Sequence, residues 1–145
     1  MRKYLALLVA IGFMFVALPV AVAQELPKAA KHENVKWYTV TYVKFVTSKA
    51  EDAQKLLTDY FIPADKASGR DVINFDTKVG EWDHIAFFPI EGGVAGLEWS
   101  VAPNEEKWWS ALAKLAGSAA KAQALMDQYN ESIAYSKSEV VMRQP

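Results

Sequence analysis

W-Y-T-V-T-Y-V-K-F-V, Trp37 to Val46, decides how the chain is read. Aromatic and β-branched residues fill it and neither glycine nor proline breaks it, so it forms a strand. Alternation puts Trp37, Thr39, Thr41, Val43 and Phe45 on one face and Tyr38, Val40, Tyr42, Lys44 and Val46 on the other. Both faces are largely apolar. Such a strand belongs to a sheet covered on both sides, by helices on one and by something else on the other.

Downstream, Ser48 with Glu51 three positions on has the form of a reciprocal helix cap. Ala50, Ala53, Leu57, Tyr60 and Phe61 then recur at helical spacing, with the helix expected to end near Pro63 and a turn around Gly69. Asp71 to Asp76 and Trp82 to Pro89 read as two strands, antiparallel because Lys78-Val79-Gly80 is too short for a crossover. The glycine-rich stretch Glu91 to Trp99 leads towards a short extra strand at Ala95 to Val101. Asn104 is the expected cap of the next helix, with Glu105 and Glu106 in its first turn and Trp108, Leu112 and Leu115 along its stripe. Gly117-Ser118 interrupts it, Ala119 to Tyr129 resumes, and Ser132 to Met142 closes the chain as a strand.

Upstream, Arg2 and Lys3 precede an uncharged apolar run from Tyr4 to Ala23 that ends in Pro19 and Ala21-Val22-Ala23. This is the form of a signal peptide, residues 1–23, cleaved before Gln24. A retained anchor is the alternative, since 20 residues can span a bilayer. Cleavage leaves a periplasmic or secreted protein without a membrane anchor, with a mobile arm over residues 24–35 and one domain over 36–145. Two of the 16 basic residues fall in the leader, leaving 14 against 17 acidic ones. A mildly acidic chain with no basic cluster is unsuited to nucleic acid. It has no cysteine, so no disulfide contributes to its stability.

The order β-α-β-β-α-β is that of an α+β, ferredoxin-like unit, an antiparallel sheet with helices on one face. The opening strand Y-T-V-T-Y-V-K-F, the helix K-A-E-D-A-Q-K-L-L-T-D-Y-F-I-P-A, the paired strands through V-I-N-F-D and W-D-H-I-A-F-F-P-I, and the last strand S-I-A-Y-S-K-S-E-V-V carry a resemblance to the dimeric α/β-barrel superfamily. That superfamily includes stress-responsive A/B-barrel proteins, antibiotic-biosynthesis and haem-degrading monooxygenases, and NIPSNAP-like proteins. The chain resembles secreted bacterial members of unassigned activity more than any enzyme branch. The resemblance, one of layout over Trp37 to Met142, implies two subunits that place their sheets face to face as a dimeric α/β barrel. A homodimer also follows from the apolar sheet face, which two-fold pairing would bury.

For function, V-G-E-W-D-H-I-A-F-F-P-I, Val79 to Ile90, raises the sharpest question. His84 is the one histidine inside the predicted domain, since His32 lies in the arm. Strand alternation puts Trp82 and His84 on one face and Asp83 on the other, so a carboxylate partner must come from elsewhere, with Glu98, Asp76 and Glu81 as candidates. Two readings stand side by side. In one, the domain binds a small hydrophobic or aromatic molecule between sheet and helices, with Trp82, His84, Trp99, Trp109 and Glu98 around it. In the other, which draws on the resemblance, it is a cofactor-free monooxygenase or cyclase for an aromatic or polyketide-like substrate, with His84 as general base and Tyr42 or Tyr38 as hydrogen-bond donor. A plain structural role for His84 and for the tryptophans competes with both. Neither metal nor cofactor is expected, because H-x-x-x-H, H-E-x-x-H, paired cysteines and phosphate-binding glycine motifs are all missing.

Overall fold

The computed structural model describes residues 26–145. The expected leader, residues 1–23, lies outside them. Residues 26–35 have no helix or strand, and a single unit spans His32 to Pro145. Its first strand, β1, runs from Lys36 to Phe45, in the stretch that the residue pattern selects.

A short 3-10 turn, Thr47–Lys49, leads into helix α1 (Ala50–Leu56). Neither carries a side-chain cap, so the expected bond from Ser48 is not made. The helical path continues through a wide π-helical turn, Leu57–Phe61, into α2 (Ile62–Ser68), and does not stop at Pro63. Pro63 has no N–H and its ring crowds the carbonyl one turn earlier, and the wide turn just upstream accommodates that. The wide turn also serves packing. Ala53, Leu57, Phe61 and Asp65 are all buried at four-residue steps, and each such step overshoots an α-helical turn by about 40°. A wider turn absorbs the drift. Gly69, at φ 78°, ends α2 in the left-handed conformation that glycine adopts without strain.

Strands β2 (Ile73–Asp76) and β3 (His84–Pro89) form the predicted antiparallel pair, both shorter than expected. Gly93–Glu98 is a 3-10 helix, so the extra strand anticipated at Ala95 to Val101 does not form. Helix α3 (Pro103–Ala116) starts one residue before the expected cap Asn104, with Pro103 in its first turn and Glu105 and Glu106 among its free amides. It ends at Gly117, and α4 (Ala119–Ser132) begins with Ser118 Oγ accepting from Lys121 N. Strand β4 (Ile133–Arg143) completes the sheet.

The sheet order is β2-β3-β1-β4, all neighbours antiparallel, which is the ferredoxin-like arrangement. It is open. Strands β2 and β4 are its two edges and do not pair, so the barrel expected from the resemblance is not what this sheet forms. Closure requires every strand to have two neighbours, with tilt and stagger to match. Four strands ending in a four-residue β2 meet neither demand.

The core lies between the sheet and its helices. Val43 and Phe45 from β1 pack with Ala53, Leu57, Phe61 and Ala64 and with Trp108, Ala111, Leu112 and Ala122. Tyr38, Val40 and Tyr42 alternate with these residues and belong to the opposite face.

Candidate functional site

Inside that core the packing is incomplete. A cavity of ≈ 250 Å³ opens between the sheet and the helices. Thr41, Val43, His84, Ala86 and Phe88 form its floor, and Phe61, Trp108, Trp109, Met126 and Tyr129 its roof. The roof is an aromatic chain, Trp109 on Trp108 at 5.2 Å, Trp108 on Phe61 at 5.7 Å, and Phe61 on Tyr129 at 5.2 Å between ring centroids. Burial pushes the Tyr129 phenol up to about 12, so it stays neutral.

One corner is polar. Asp65 near the end of α2, Arg70 just after it and Trp108 of α3 all line the cavity. Asp65 Oδ1, Arg70 Nε and Trp108 Nε1 are buried atoms without a hydrogen-bond partner. The guanidinium and carboxylate face each other, with Arg70 Nη1 3.7 Å from Asp65 Oδ1, beyond hydrogen-bond reach. Arg70 also lies over Phe88 and Trp108, with its guanidinium carbon 5.3 and 5.6 Å from the ring centroids. Loss of solvent raises Asp65 to about 6 in spite of Arg70, whose charge acts in the opposite direction. Burial wins because no hydrogen bond compensates it at Oδ1.

His84 sits on the cavity floor and is 2% exposed. Its ring nitrogens face β2, with Nε2 3.1 Å from Asn74 Oδ1 and Nδ1 3.4 Å from Asp76 Oδ1. Burial lowers its pKa, and the Asp76 carboxylate only partly restores it. Of the acids considered as partners, Asp76 is the one beside it.

The other predicted residues are dispersed. Trp82 does not share the His84 face. The chain bends at Asp83, whose N–H donates to Val43 O and whose carboxylate accepts from Lys44 Nζ and Phe45 N, both at 2.8 Å. Strand alternation therefore begins only at His84. The Trp82 ring lies 5.6 Å from Tyr42 and 5.3 Å from Tyr135, on the face away from the helices. Tyr38 is also on that face, edge-on to Phe87 at 6.2 Å, so the sheet separates both tyrosines from His84. Trp109 does line the cavity. Trp99, 61% exposed, borders an adjoining groove that shares Arg70, Phe88 and Glu105 with the cavity. Glu98 is exposed and lines neither.

Asp65 and Arg70 escape a reading by residue pattern because the helix was expected to end before them. The available signal was the four-residue recurrence from Ala53 through Leu57 and Phe61, which continues onto Asp65 and places an acid on an apolar stripe. Among the described residues, no three histidine, cysteine, aspartate or glutamate side chains are grouped to hold a metal ion. No described helix is long and apolar enough to cross a membrane.

No protein-family model and no curated protein matches the chain. Two solved structures of NIPSNAP family proteins from Agrobacterium tumefaciens are similar in fold. One, described as of unknown function, has a TM-score of 0.51 at 10% identity and covers 78% of this chain and 92% of its own. The other has a TM-score of 0.51 at 16% identity, with coverage of 83% and 93%. At such identities the likeness is one of architecture, and the chain has the fold seen in these NIPSNAP family proteins.

Proposed function

We propose that this protein binds a small, flat, largely apolar molecule in the cavity between its sheet and helices. The observation that carries this reading is that Asp65, Arg70 and Trp108, each holding a buried polar atom without a hydrogen-bond partner, all line one aromatic-walled space. Apolar pockets with a few convergent polar groups are the usual form of a small-molecule site. An unsatisfied buried group costs stability, and such a cost is typically tolerated where it serves binding or chemistry. Acid–base catalysis by His84 with Tyr42 or Tyr38 gains no support, because the sheet lies between them and both ring nitrogens face β2.

Calorimetric titration with two-ring aromatic compounds tests the reading. Saturable binding is expected with Kd on the order of 10 μM to 1 mM, the range for ligands of about ten heavy atoms. Ser136→Phe, which adds a ring from an exposed position of β4 that borders the cavity, should abolish it without lowering Tm. Equal binding by the filled variant would place the compounds elsewhere and sink the proposal.

A second copy of the chain is the proposed partner for the sheet face away from the helices. Supporting this, Ile73, Phe75 and Tyr135 are exposed there beside Trp82 and Phe87, apolar groups that a partner would remove from water. Analytical ultracentrifugation from 1 to about 100 μM, the range that spans ordinary two-fold dimers, should show a mass that doubles. A single monomeric species throughout would remove this part.

A further inference from the structure

The polar corner has a definite hydrogen-bonding character. Its lining residues hold two N–H donors, Arg70 Nε and Trp108 Nε1, and one acceptor, Asp65 Oδ1, that are buried and unmatched within the protein. A ligand group that satisfies all three must accept and donate from neighbouring atoms. Charge narrows the choice. Two carboxylates, Asp65 and Glu105, border the cavity against one guanidinium, Arg70, while His84 is held towards its neutral form. An anionic head would meet Asp65 without a proton to share. A cationic head would leave both N–H groups unmatched.

We infer that the cavity recognises a neutral planar ring carrying a carbonyl beside an N–H, the cyclic-amide pattern, with the carbonyl accepting from Arg70 and Trp108 and the N–H donating to Asp65. The inference rests on the binding role proposed above and names the ligand class of that site. The 3.7 Å separation of Arg70 Nη1 and Asp65 Oδ1 suits it, because the two side chains approach without closing a bond that a ligand would have to break. The aromatic rings of Phe61, Trp108 and Tyr129 supply the flat apolar walls for the rest of the molecule.

Three compounds of nearly equal shape provide the test: 2-quinolone, N-methyl-2-quinolone and 2-methylnaphthalene. Calorimetry on the full-length protein at pH 7.5 should rank 2-quinolone tightest. Removing the donor or the polar edge should each weaken binding, by roughly 10- to 100-fold for hydrogen bonds to charged partners. Asp65→Leu should erase the difference between 2-quinolone and its N-methyl form, and Arg70→Met should erase the advantage of the carbonyl. If Arg70→Met fails to fold, Trp108→Phe removes one donor and keeps a ring, with a smaller loss expected. Equal affinity of 2-methylnaphthalene and 2-quinolone would overturn the cyclic-amide inference and leave the binding role standing. Absence of binding by all three would overturn both.

Discussion

Two acid–base pairs in this fold have opposite characters. Lys44 and Asp83 meet at 2.8 Å on the open side of the sheet, about a third exposed, and Asp83 also accepts from Phe45 N. The Lys44 hydrogen bond, helped by that of Phe45, holds the Asp83 carboxyl below its ordinary value. Arg70 and Asp65 stand 3.7 Å apart inside the molecule without a hydrogen bond between them, and Asp65 is pushed up to about 6. The first pair fixes a bend in the chain. The second keeps polar groups unsatisfied beside a cavity, at a cost in stability. The difference separates a carboxylate whose hydrogen bonds serve folding from one buried without such bonds, the one proposed to meet a ligand.

The comparison can be broken most directly by removing Arg70. Arg70→Met leaves the buried Asp65 charge without the cation beside it, and a loss of about 3 kcal/mol at pH 7.5 is expected in urea unfolding. Replacing both partners, as Asp65→Leu with Arg70→Met, should recover most of that loss or exceed the wild type, since an apolar pair carries no desolvation cost. A double variant as unstable as the single one would mean that the pair contributes to folding after all.

A smaller effect is expected at the other pair. Asp83→Asn keeps one acceptor and gives up the charge, with about 1 kcal/mol lost and the bend retained. Asp83→Ala abandons the Phe45 N–H as well and should cost about 2 kcal/mol. Loss of the ring contact between Trp82 and Tyr42 would show in the near-ultraviolet circular dichroism of the alanine variant and not of the asparagine one.

A further test concerns pH, where two groups on the cavity wall oppose each other and their net effect is small. Asp65 has a folded pKa near 6 against 3.8 as its ordinary value, so its contribution is favourable below 3.8 and is lost as pH rises through 6. His84 has a folded pKa below 6.5, so its contribution is present above 6.5 and is lost as pH falls towards the folded value. Between pH 4 and 6 the two partly cancel. Asp65→Asn should therefore make stability fall more steeply on acidification than in the wild type, and His84→Asn should make it fall less. Urea midpoints at pH 4.5 and 7.5 measure both, and unchanged slopes would show that neither group is buried as described.

Much of the architecture is legible in local pattern. The run from Trp37 to Val46, the short link at Lys78 to Gly80 and the break at Gly117-Ser118 each act within a few residues, and each appears in the fold close to where it is expected. The caps at Ser48 and Asn104 fail for an equally local reason, since a 3-10 turn and a first-turn proline replace them. The candidate site was legible only in part. His84 and Trp109 border the cavity, whereas the bend at Asp83 carries Trp82 to the opposite face, and that bend depends on Lys44 and on the backbone of Val43 and Phe45, far away in sequence.

The sequence by itself determined the order of strands and helices, because hydrophobic period, breaking residues and link length are properties of neighbouring residues. Tertiary structure decided the rest. Whether the sheet closes depends on which edges find partners, and here β2 and β4 remain apart. Whether Asp65 meets Arg70 and Trp108 depends on a helix that widens before Pro63 and runs on to Ser68, bringing an acid into the apolar layer between sheet and helices. Those outcomes are set by packing between distant segments, which residue spacing along the chain does not encode.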